Sequence, residues 1–154
     1  MDCQVYQNSE NRVNTLKSFE NYRYEIPDKD KIEFLTSRPW FTNSHKNLNE
    51  ILNELAPDTH IVAVPFEHIE INNVTNKCEL FDTRIHDIKL IKMENSRCHD
   101  NCEILFNSCN SNKLYSGYAL SQDGLWRFHS WCVDKNNCIL ETTQERLIYY
   151  GIQI

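Results

Sequence analysis

No stretch of this chain stays apolar for anything near the roughly 20 residues that a membrane-spanning helix requires. Met1 to Glu20 is polar throughout, without the apolar segment of a secretory leader. Both absences lead us to expect a cytoplasmic protein with no membrane partner. No block of lysine and arginine offsets the net charge of −6, which argues against nucleic acid as a partner. Internal repeats and low-complexity linkers are missing too, so residues 1–154 read as a single domain with enough chain for one core. An even cysteine count is also lacking. Seven cysteines without a leader favour free thiols in a reducing compartment over a disulfide framework.

What is present is a globular composition, 40% hydrophobic and 25% charged. Residues 1–25 read as a flexible or peripheral arm, with a weak helical pattern from Val13 to Tyr22. Pro27 and "DKDKIE" mark a loop or a helix start. Ser44 is placed to cap a helix through Leu55, where Leu48, Ile51, Leu52 and Leu55 make one apolar stripe ended by Pro57. "HIVAVPFEHIEI" is rich in β-formers, with Pro65 suggesting an edge or bulge. "TRIHDIKLIKM" reads as a further strand through Ile85, Ile88 and Leu90.

The second half is more informative. "SRCHDNCEILFNSCN" predicts a short helix with Asn95 or Ser96 as N-cap, and Cys98, Cys102, Leu105 and Cys109 on one face. "KLYSGYAL" and "LWRFHSWCV" are strands joined by the glycine-containing turn "SQDG", and "CILETT" is a third strand entered through "DKNN". Helices and strands followed by an antiparallel meander make the class α+β.

A strand that carries a histidine and returns with a glutamate has a chemical use. If the last turn is odd-numbered and centred near Lys135, His129 faces Glu141 and Cys132 faces Cys138. Directly opposed side chains have Cβ atoms about 5 Å apart, within reach of a carboxylate–imidazole hydrogen bond. Period two then assigns Arg127, His129, Trp131 and Glu141 to one face, and Phe128, Cys132, Cys138 and Leu140 to the other. A nucleophile must be presented to His129. Cys98 is the best candidate, because unpaired N–H groups and the positive dipole end in the first turn of its helix favour a thiolate. Cys102 and Cys109, further along, read as core packing.

The order "RCHDN", "SGYAL", "HSW", "ETT" resembles the transglutaminase-like branch of the papain-like cysteine enzymes, over Ser96 to Thr143. That resemblance implies a papain-like core in which the cysteine helix packs on an antiparallel sheet. It also implies Cys98 as nucleophile, His129 as base and Glu141 as orienting acid, although the family usually has aspartate in the third place. The activity implied is acyl transfer at an amide or ester of a protein or peptide substrate, with no cofactor. The Cys98 N–H would serve as oxyanion donor, with Asn95 a guess for the second, and Trp126, Trp131 and Tyr118 would line the acyl cleft or pack in the core.

Two other readings stand beside this one. Cys98, His99, Cys102, His129, Cys132 and Cys138 invite a structural zinc site, but C-x3-C and H-x2-C spacings fit poorly and period two aims His129 and Cys132 apart. A non-catalytic protein-interaction domain on the same fold would use the constellation as core, and its Cys98 would be inert.

Overall fold

The computed structural model describes residues 11–12, 24–62 and 78–154. Along the chain these form β1 (Asn11–Arg12), α1 (Lys29–Thr36), α2 (Asn43–Leu55), β2 (His60–Ile61), β3 (Glu79–Asp82), β4 (Ile88–Leu90), α3 (Cys98–Ser108), β5 (Lys113–Leu120), β6 (Leu125–Val133), β7 (Ile139–Glu141) and β8 (Ile148–Gln153). The Val13–Tyr22 helical pattern, nearly all of the expected arm, and the β-rich run through Pro65 lie outside the described residues.

Local chemistry accounts for the helix starts. Asp28 caps α1 by accepting from the Lys31 N–H at 2.8 Å. Helix α2 begins two residues earlier than a Ser44 cap would put it. Thr42 is its N-cap, and His45 takes the place of the usual glutamate in a reciprocal capping box. Leu48 and Leu52 are fully buried, as the apolar stripe requires.

The eight strands form one sheet in the order β1-β4-β7-β6-β5-β8-β3, with β2 pairing on β6. Strands β5, β6 and β7 make the expected antiparallel meander, whereas β4–β7 and β2–β6 are parallel pairs. The class is α+β. Ile85 does not join a strand: residues 83–86 turn, Ile85 is exposed, and only Ile88–Leu90 is extended.

Both hairpins of the meander use a three-residue loop whose last residue is left-handed, Gly124 at φ 79° and Asn137 at φ 62°. The second loop is therefore centred on Asn136, one residue beyond the expected Lys135. Cys132 pairs with Leu140 instead of Cys138. The loop remains odd-numbered, so every side chain keeps its expected face. Glu141 lies diagonal to His129, still within reach of long side chains.

The helical face of the sheet holds two clusters. Leu48 and Leu52 of α2 pack with Leu120, Trp126 and Ile148, while Cys102 and Leu105 of α3 pack with Cys132 and Leu140. On the opposite face the buried cluster among the described residues is made by strand residues, including Phe81, Tyr115, Trp131, Ile139 and Tyr149. Gly117 and Gly151 let β5 and β8 approach on that face. A Cβ on Gly117 would lie 2.3 Å from the Tyr150 carbonyl oxygen, and one on Gly151 would lie 2.7 Å from the Trp131 ring. No helix among the described residues is long and apolar enough to cross a membrane.

Candidate active site

Strand β6 has an interrupted edge. On the side away from β5 it pairs with β2 at Leu125 and Trp126, and with β7 at Cys132 and Val133. Among the described residues no strand covers the span between. The start of α3 fills that interval, and the Ser130 N–H donates to the Cys98 sulfur where a strand carbonyl would otherwise sit. Cys98 is the first helical residue, preceded by Arg97 at the N-cap position and not by Asn95 or Ser96. Arg97 makes no side-chain cap; its guanidinium turns outward to Asp100. The first-turn amides are thus not consumed by a capping side chain.

Facing Cys98 is His129, 2% exposed, whose Nε2 donates to Glu141 Oε1 at 2.8 Å. That bond leaves Nδ1 for the hydrogen bond with the thiol. Glu141 is fully buried and saturated with donors. Its Oε1 also accepts from the Tyr149 hydroxyl at 2.7 Å, and Oε2 accepts from the Thr142 and Thr143 N–H groups and the Thr143 hydroxyl. The chain turns at 142–143 to send both amides back onto the carboxylate, so the "ETT" run builds the acid's own cradle.

The charges follow from this geometry. Burial pushes the Cys98 thiol up, but hydrogen bonds from His129 and His99, the His129 charge and the Ser130 amide together bring it down to about 5. Burial pulls His129 down, yet the Glu141 charge and hydrogen bonds with Cys98 and Glu141 raise it to about 9. Burial likewise pushes Glu141 up, and the His129 charge, the Thr143 amide and Tyr149 outweigh it to hold the carboxyl below the usual range. Near pH 7 the three groups form a thiolate–imidazolium–carboxylate array. Cys102, one turn further into α3, behaves oppositely. A hydrogen bond with Cys132 and burial both push its thiol far up, so it stays protonated.

A second polar chain escaped the sequence reading. His99 Nδ1 makes a short hydrogen bond with Ser130 Oγ, which is 2.6 Å from Ser116 Oγ. Tyr149 was also missed; only its position in the tail after "ETT" pointed to it. The aromatic assignments need correction. Trp126 and Trp131 are fully buried and Tyr118 nearly so, each within a core cluster, and Trp126 donates its indole N–H to Thr59 Oγ1. None of the three lines the cleft at Cys98. Asn95 does line it, at the exposed rim.

That cleft, about 580 Å³, is walled instead by Lys92, Arg127, Phe128, Gln144 and Arg146 beside Cys98 and His129. It continues past Ser96 and His99 into a neighbouring cleft along α3, and past Arg127 and Arg146 into another beside Asp123. Among the described residues, no group of three or more His, Cys, Asp or Glu is placed to hold a metal ion. Cys132 instead packs with Cys102 on the face of β6 opposite to His129.

The thiols are not all free. Cys78, Cys98, Cys102, Cys132 and Cys138 are outside any disulfide, whereas Cys109 at the end of α3 is disulfide-bonded. This overturns the expectation of seven reduced cysteines, which rested on composition alone. No protein-family model, curated protein or solved structure matches the chain.

Proposed function

We propose that this protein is a cysteine-dependent acyl-transfer enzyme of the transglutaminase-like, papain-like type, with Cys98, His129 and Glu141 as its triad. The observation that carries the reading is the buried His129–Glu141 pair, 2.8 Å apart, presented to a thiol at the first position of a helix. A buried imidazole and carboxylate with five converging hydrogen bonds is a costly arrangement for packing alone. It is what an acyl-transfer site needs.

The Cys98 thiolate attacks the acyl carbon of an amide; the C–S bond forms, and the C–N bond breaks as imidazolium His129 gives its proton to the departing amine. Neutral His129 then takes a proton from water, or from an acceptor amine, as that nucleophile adds to the thioester. The C–S bond breaks and the thiolate–imidazolium pair returns. Glu141 holds the imidazole orientation and offsets its charge throughout. The Cys98 N–H stabilises the oxyanion, and Asn95 at the rim is assigned as the second donor.

Iodoacetamide labelling near pH 7, followed by intact mass and peptide mapping, tests the reading. Cys98→Ala should abolish the fast label, His129→Ala should slow it at least roughly tenfold by raising the thiol pKa, and Cys102→Ala should leave it in place. Equal rates for the wild type and His129→Ala would refute the triad and leave an inert interaction module.

A further inference from the structure

The cleft beside Cys98 is cationic in a protein whose net charge is −6. Lys92, Arg127 and Arg146 line it, and among the described residues no aspartate or glutamate does. Arg127 is neutralised, since its two terminal nitrogens grip the Asp123 carboxylate at 2.8 and 3.0 Å. The other two cations are held by neutral acceptors. Lys92 Nζ donates to the Thr143 carbonyl at 3.2 Å. Arg146 Nε donates to the adjacent Gln144 carbonyl at 3.1 Å, and its Nη1 to Ser121 Oγ at 2.6 Å. Both positive charges are thus anchored to consecutive carbonyls of the segment that leaves Glu141. A half-buried guanidinium fixed in place but lacking a carboxylate in its bonds is preorganised for an anion brought by a ligand.

We infer that the site takes an acidic acyl donor: a peptide carrying a glutamate or aspartate side chain next to the acyl group that Cys98 attacks. This inference rests on the acyl-transfer reading and adds the substrate class. Lys92 and Arg146 receive the carboxylate. The clefts that continue on either side of Cys98 receive the extended chain, one running along α3 and the other towards Asp123. The second is lined by Glu25 and Asp123 together with Arg127 and Arg146, so its described charges balance. Discrimination therefore falls at the residue nearest the reacting carbonyl.

The test uses short peptides ending in an acyloxymethyl ketone, with glutamate, glutamine or lysine beside the electrophile. The Cys98 thiolate displaces the acyloxy group as a carboxylate and forms a thioether, so the labelling rate is read directly by intact mass. The glutamate probe should label roughly tenfold or more faster than the lysine probe, the size expected for one charge-assisted contact. Arg146→Glu should collapse or invert that ratio, Lys92→Gln should reduce it, and Lys135→Gln in the exposed β6–β7 turn should preserve it. Taking the ratio within each variant removes any general change in thiol reactivity.

Equal rates for the acidic and basic probes, or a ratio that Arg146→Glu and Lys92→Gln both leave alone, overturns the inference. So does labelling by iodoacetamide but by none of the peptides. If His129-dependent iodoacetamide labelling is itself absent, the acyl-transfer reading falls as well, and the two failures are told apart.

Discussion

Replacing Glu141 by glutamine alters charge while nearly preserving shape, and its consequences can be worked through. His129 sits at about 9 against an ordinary 6.5, which corresponds to about 3 kcal/mol favouring imidazolium. The Glu141 charge is the largest contribution raising it. Without that charge the imidazole becomes neutral near pH 7, and Cys98 loses its cationic partner. The thiol should then rise from about 5 towards the ordinary range. At pH 6.5 nearly all of Cys98 is thiolate in the wild type, against roughly 1% for an ordinary thiol, so labelling should slow between about tenfold and a hundredfold. Stability should fall too. Five donors converge on the carboxylate, and the amide nitrogen of glutamine accepts from none of them. Removing one partner of such a buried pair costs about 3–5 kcal/mol. The sign with pH is set by the shifts. The His129 contribution is fully present below about 6.5 and is lost as pH rises through about 9. The Glu141 contribution is present above the ordinary carboxylate range and is lost as pH falls through its lowered value. The assay is the pH profile of iodoacetamide labelling from pH 4 to 10, run where near-ultraviolet circular dichroism shows the variant folded, with urea midpoints across the same range. A labelling midpoint within a few tenths of a pH unit of the wild type would refute the reasoning.

Tyr149→Phe should destabilise by roughly 1–3 kcal/mol in urea unfolding, because the Arg146 N–H loses its acceptor and Glu141 loses a donor. Gly117→Ala should cost on the order of 3 kcal/mol, since its Cβ would meet β8 backbone that cannot move aside; a wild-type melting temperature would contradict this. Alkylation in denaturant without reductant should leave Cys109 unmodified; a peptide map showing Cys109 alkylated to the same extent as Cys102 and Cys132 would refute its disulfide.

The order helix-borne Cys98, strand His129, strand Glu141 was legible because each residue sits in an element with a strong local signal. Their meeting was legible only through parity. An odd loop keeps His129 and Glu141 on one face whichever residue stands at its centre, so the displaced register cost the Cys132–Cys138 pairing but not the dyad. The aromatic positions failed for a related reason. Alternation says that Trp126 and Tyr118 share a face, not whether a helix covers it, and α2 does. Parallel pairing of β2 and β4 joins residues far apart in the chain, which no local pattern records. Lys92 and Arg146 carry no local sequence signal, because their shared anchorage on Thr143 and Gln144 exists only after folding.

The sulfur that meets the Ser130 amide, where no described strand pairs with β6, makes one rung of that strand chemically switchable. In the resting protein the Ser130 amide hydrogen bonds to Cys98, an anion near neutral pH. Once that sulfur is tied up in a thioester or thioether, its negative charge is gone and the bond weakens. On the proposed acyl-transfer mechanism, each acylation would loosen the backbone beside His129, and each deacylation would tighten it. Solvent exchange at a single amide becomes a reporter of the covalent state of the thiol.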